Sequence, residues 1–281
     1  LPRTNQHRLI MNPPAKLVAF LALLVAIFGI SYATGTQSRA LLAPAPTHKS
    51  EMVAAADTLE GYALRPAEPT QKPGKDVVVE FAVTAPGGQV ISELDHDAGE
   101  HMHLIAFRRD LTGYQHIIAQ QGEGTSWWGI FNLTPGPWHV IVHFQSKALG
   151  REITLATDFT TSGKYQPEPL PPAADQLQIK DLTMTRSGEL STGADSSTAI
   201  TVTDQGQPVT DLQPAHGEMG HGVLIRPADL SYLHMHSDTA GTGPRLDFLG
   251  TVPEPGSYLL FVDFYRDNKV YLAPFAVQVT R

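Results

Sequence analysis

The sequence predicts an all-β protein: two tandem immunoglobulin-like β-sandwich domains following an N-terminal transmembrane helix. Three observations lead there. Short runs of β-branched and aromatic residues recur between turn residues, a long apolar stretch lies near the N-terminus, and the second half of the chain repeats the first in register.

The apolar stretch comes first. Leu17 to Ala33, "LVAFLALLVAIFGISYA", is apolar apart from Gly29, Ser31 and Tyr32. Arg3, Arg8 and Lys16 precede it, and no acidic residue does. Basic-then-apolar order reads as a membrane span with its N-terminus inside, or as a signal peptide. Ser31-Tyr32-Ala33 offers a small-x-small cleavage site, yet the run is longer than a signal core, so an uncleaved anchor is expected. Residues 1–16 are then cytoplasmic, 17–33 cross the cell membrane once, and the C-terminal domains are extracytoplasmic. Residues 34–57, rich in Ala, Pro, Thr and Ser, read as a linker.

Strand signals follow. "DVVVEFAV" (Asp76–Val83), "WHVIVHF" (Trp138–Phe144), "AITVT" (Ala199–Thr203) and "YLLFVDF" (Tyr258–Phe264) are bounded by turn residues. Twenty-two Pro and 24 Gly suit a sandwich better than long helices. "GQVISEL" (Gly88–Leu94) matches "GQPVTDL" (Gly206–Leu212), Glu100-x-x-His103 matches Glu218-x-x-His221, and "YQH" at Tyr114 matches "YLH" at Tyr232. All three pairs are 118 residues apart. "PGPWHVIVHF" (Pro135–Phe144) matches "PGSYLLFVDF" (Pro255–Phe264) at an offset of 120. Two copies of one module are expected, at 58–163 and 175–281. The Pro-rich stretch 164–174 joins them.

Composition excludes several functions. The net charge is -8, and outside the N-terminus there is no Lys/Arg run to meet a phosphate backbone, so nucleic acid is not an expected partner. No Cys is present, which removes disulfides, thiolate zinc sites and Cys nucleophiles. HExxH, GxSxG and GxxxxGK[ST] are all missing, and no GxGxxG follows a strand, so an enzyme is not expected.

Histidine is what remains. His101-Met102-His103 and His234-Met235-His236 each put a Met between two His, in a chain with 12 His and six Met. Residues i and i+2 of a strand share a face, so each His pair points one way and its Met the other. Folding the second module as a hairpin with Ile225 opposite Tyr232 sets His221 opposite His236, close enough to share a metal ion. His234, His216 and Met219 lie within reach to complete that site. The same exercise in the first module sets Arg108 opposite Tyr114 and His103 opposite Ala119, leaving His116 about 10 Å along the ladder. His139 and His143 fall on the face of their strand away from Trp138, as solvated or interface residues. Asp263 takes the position of His143.

"GEMGHGVLIRPADLSYLHMHS" followed by "PEPGSYLLFVDF" resembles actinobacterial, membrane-anchored secreted proteins of the heavy-metal-binding, YtkA-like type. "HMHLIAFRRDLTGYQHI" resembles the companion N-terminal module of those proteins, and the resemblance covers most of residues 58–281 and the hydrophobic helix. Two positions depart from the pattern: Ser237 stands where a Pro usually follows the second-module His pair, and Ile118 where the first module usually has a second His. The resemblance implies metal binding, with the fuller site in the second module. Candidate ligands are His221, His236, His234, His216 and Met219, with His103 and His116 as first-module counterparts. Imidazole suits Cu(II), Zn(II) and Ni(II), and thioether sulfur favours Cu(I), so copper is expected, with zinc as the alternative. A copper carrier or buffer, held to the membrane by its helix and meeting an envelope protein partner, is the function this implies. The alternative is a non-catalytic envelope interaction module.

Overall fold

Strand follows strand in this computed structural model, which describes residues 52–91, 102–122, 126–146, 149–193, 196–214, 218–237 and 241–281. The expected membrane span at Leu17–Ala33, most of the 34–57 linker, His101, Glu100 and His216 lie outside the described residues. Among the described residues no helix is long and apolar enough to cross a membrane.

The first module contains β1 (Thr58–Leu59), β2 (Tyr62–Pro66), β3 (Thr70–Gln71), β4 (Gly74–Thr84) and β5 (His103–Arg108). It continues with β6 (Gln115–Ile118), β7 (Gln120–Gln121), β8 (Trp127–Leu133), β9 (Gly136–Ser146) and β10 (Arg151–Thr161). The second contains β11 (Gln176–Ile179), β12 (Leu182–Ser187), β13 (Ser196–Asp204), β14 (Gln207–Pro208) and β15 (His221–Ile225). β16 (Tyr232–His236), β17 (Arg245–Gly250), β18 (Gly256–Arg266) and β19 (Lys269–Val279) complete it.

Each module is a pair of sheets. The first pairs β1-β2-β4-β8-β7 with β3-β10-β9-β5-β6. The second pairs β11-β12-β13-β14, with β17 also on β13, with β16-β15-β18-β19. The expected all-β architecture is present. Equivalent strands occupy equivalent places: β5, β6, β9 and β10 are ordered as β15, β16, β18 and β19.

Alternation makes the outer sheets one-sided. β8 runs buried and exposed in turn, with Trp127, Phe131 and Leu133 inward and Ile130 out. The inner sheets differ. Every residue of β5 and of β15 is buried, and β18 is buried from Tyr258 to Phe264. A strand buried on both faces has apolar neighbours above and below.

Those neighbours are the other module. One apolar layer fills the first sandwich, with Leu104, Phe131, Trp138 and Phe144 in it. A second fills the second sandwich, with Leu224, Phe248, Leu260 and Phe275. A third joins the modules, taking Ile105, Phe107, Tyr114 and Ile141 from the first and Val223, Ile225, Tyr232 and Phe261 from the second. Tyr114 and Phe261 stack across this seam, ring centres 4.1 Å apart and 12° from parallel. The order is therefore sheet, core, sheet, seam, sheet, core, sheet.

Residues at the end of the expected 34–57 linker also touch both modules. Val53 exchanges two backbone hydrogen bonds of 2.8 Å with Tyr232, and the Ala56 carbonyl accepts one of 2.8 Å from the Ala156 N–H. Extended backbone here is held along the edge of the seam.

Candidate metal centre

Two hairpins carry the histidines. In the second module the β15–β16 ladder sets His221 opposite His236, Val223 opposite His234 and Ile225 opposite Tyr232, the register expected from the sequence. In the first module the expected register is corrected by one residue. His103 pairs with Ile118, not Ala119, and Ile105 with His116. The turn explains it. Arg108 N–H donates to the Thr112 carbonyl at 2.9 Å, and Gly113 takes φ +69°, so the ladder starts at Ala106/Gln115. A shift of one residue turns every side chain to the other face of its strand. His116 therefore joins His103 on the seam.

The two hairpins now share a register: His103 and His221 open their strands, and His116 and His234 sit at matching ladder positions. Behind them, His103 pairs with His143 on β9 and His221 with Asp263 on β18. Ile118 occupies the place of His236. Both turns are clamped alike, Arg108 holding Asp110 and Thr112, and Arg226 holding Asp229 and Ser231. Arg226 outweighs the burial that would raise the Asp229 carboxyl and holds it well below the usual range.

Packing the seam brings these side chains together at one end of it. His103, His221 and His234 each offer a ring nitrogen, and these atoms lie within 4.8 Å of one another. His116, His221 and Asp263 form a second such group. The residues are withdrawn from water: His221 is 0% exposed, His234 5%, His103 7%, and the His116 side chain 2%. His116 links the modules, since its Nδ1 donates to Asp263 Oδ2 at 3.1 Å. Its Nε2 lies 2.8 Å from His103 Nδ1. Asp263 is pulled two ways: burial raises its pKa, but His116 and His221 win and hold the carboxyl well below its usual range.

His143 stands beside the cluster, its ring centre 5.4 Å from that of His234, and its Nδ1 is 2.9 Å from Thr154 Oγ1. His139 lies further along the same face and donates to Asp158 at 2.7 Å. Sequence reasoning placed both on the correct face of β9. It left Asp263 out of the site, although the alignment with His143 was the signal that could have found it.

The methionines do not share this face. Met102 packs inside the first sandwich and Met235 inside the second, while Met219 packs partly buried against the second interior. Replacing Met235 by Leu, nearly equal in volume, is therefore expected to cost under ~1.5 kcal/mol, checked by thermal unfolding.

Sheets, seam and histidines define an all-β protein of two sandwiches with a buried imidazole cluster between them. Residues 177–281, the second sandwich, match a family described as a domain of unknown function (DUF8832). No curated protein matches the chain. Among solved structures, a Salmonella alpha-2-macroglobulin mutant is similar at 12% identity and TM-score 0.28, over 82% of this chain and 15% of that one. The Escherichia coli adhesin FdeC is similar at 15% identity and TM-score 0.26, over 81% and 65%. Fibronectin(III)-like modules of Clostridium thermocellum CbhA are similar at 11% identity and TM-score 0.22, over 77% and 92%. The chain thus spans about 15% of the length of the macroglobulin, and these likenesses carry no argument about function.

Proposed function

We propose that this protein is a non-catalytic, extracytoplasmic metal-binding protein, a carrier or buffer that holds one copper or zinc ion between its two immunoglobulin-like modules. The observation behind this reading is the convergence of His103, His221 and His234, from both modules, to within 4.8 Å. Imidazoles withdrawn from water and gathered in this way are a ligand set suited to Cu(II) or Zn(II). Asp263 below His116 is the carboxylate–histidine pairing that orients metal ligands elsewhere. The proposal keeps the anchor at Leu17–Ala33 and an envelope protein as recipient or donor of the ion.

Calorimetric titration of the whole chain with Cu(II) and Zn(II) tests it. One ion per chain is expected, and no binding of either would refute the proposal. Acid should release the ion. Imidazole ordinarily protonates near pH 6.5, and a protonated ring cannot ligate. Asp263, its pKa lowered in the fold, contributes stability above its ordinary carboxylate pKa that is lost only as pH falls through the lowered value. Affinity should thus fall about tenfold or more per pH unit below ~6, with Asp263 still ionised. Affinity flat between pH 7 and 5 would speak against imidazole ligands.

A further inference from the structure

Four rings surround the centre of the seam: the nitrogens of His103, His221 and His234 converge within 4.8 Å, and His116 joins His221 and Asp263 in the adjoining group. Ring centres of His103 and His116 are 5.1 Å apart, and those of His221 and His234 are 5.5 Å apart. Between the modules, His103 is 5.8 Å from His221 and 5.3 Å from His234. His116 is 4.7 Å from His221 and 5.5 Å from His234. All six separations fall in one narrow band, from 4.7 to 5.8 Å.

That band has a geometric meaning. A metal–imidazole bond of about 2.0–2.1 Å sets the ring centre about 3.2 Å from the ion, so four rings at tetrahedral angles stand about 5.2 Å apart. Four rings in a square plane would instead split into edges of about 4.5 Å and diagonals of about 6.4 Å. The six separations show no such split.

We infer that His103, His116, His221 and His234 form one closed tetrahedral site, two ligands from each module, and that its ion is Zn(II) in preference to copper. This rests on the metal-binding reading and names the ion for it. Cu(II) favours tetragonal geometry, which this cage opposes. Cu(I) accepts a tetrahedron but is selected by soft sulfur, and the Met102 and Met235 thioethers are buried in the sandwich interiors on the opposite face. Zn(II) held by four protein ligands is almost always tetrahedral. His116 enters through Nε2, since Nδ1 is committed to Asp263. Binding breaks the His103–His116 hydrogen bond, and each neutral ring keeps its one proton on the nitrogen that does not ligate, Nδ1 in His116.

Cobalt(II) reports the geometry directly. The chelator-stripped whole chain is titrated with Co(II) and then with Zn(II). Intense visible d–d bands of a four-coordinate ion are expected, at one Co(II) per chain, abolished by one equivalent of Zn(II). Asp263→Asn should keep the bands while lowering Zn(II) affinity about 10–100-fold. His116→Ala should shift the bands as one imidazole is lost, with circular dichroism confirming the fold. Weak, six-coordinate Co(II) spectra would overturn the tetrahedron while leaving metal binding in place. So would a Cu(II) resonance of a square-planar four-nitrogen site that Zn(II) does not contest. If no cation binds at all, the metal-binding reading itself has failed.

Discussion

His221→Ala is expected to lower metal affinity by at least ~100-fold, more than any other single substitution. His221 belongs to both ligand groups, touches Asp263 as well as the other rings, and is 0% exposed, so no water stands ready to replace it. Removing even a residue that only orients a ligand costs about 10–100-fold, and a direct ligand should cost no less. The comparison that discriminates is His103→Ala. A site confined to the second module predicts no effect from it, whereas the shared seam predicts a loss close to that of His221→Ala. Titration of both variants, with circular dichroism to confirm folding, decides between them.

Phe261→Ala is expected to cost about 3–5 kcal/mol, the range for emptying a buried aromatic site. Phe261 stacks on Tyr114 of the other module, so its loss weakens the seam and not a sandwich interior. A specific readout is available because all three Trp, at positions 127, 128 and 138, lie in the first module. Urea unfolding followed by Trp fluorescence reads that module alone, while circular dichroism reads both. The two midpoints should coincide in the parent protein and separate in Phe261→Ala. Coincident, unshifted midpoints in the variant would mean that the seam does not couple the modules.

Much of this was legible in the sequence. β-branched runs between turn residues gave the strands, and the second hairpin's register followed from its turn length. What sequence reasoning missed was the layer between the modules. "HLIAF", "HGVLI" and "YLLFVDF" are nearly continuous apolar runs, and a strand with only one buried face would alternate. Their second buried face needed a partner, and the repeat supplied one. His103 and His116 were kept apart by a register error of one residue, which the left-handed Gly113 resolves. That slip cannot be read from spacing alone, because one extra residue can sit in the turn or in the ladder. Met219 drew attention through its chemistry, but it packs against the second interior, away from the seam face.

Two half-sites facing each other raise a question of concentration. In the proposed four-imidazole site neither module carries more than two of the ligands, so capture of an ion there requires an encounter between two surfaces. Residues 162–175, between the end of β10 and the start of β11, tether those surfaces together. A short tether of this kind holds its ends at an effective concentration on the order of millimolar, so the encounter is intramolecular and independent of how dilute the protein is. Cutting the tether while leaving both modules folded would make ion affinity depend on protein concentration, as it would for any dimer. The duplicated chain is in that sense a dimer made permanent, free to let its halves diverge, as His143 and Asp263 have.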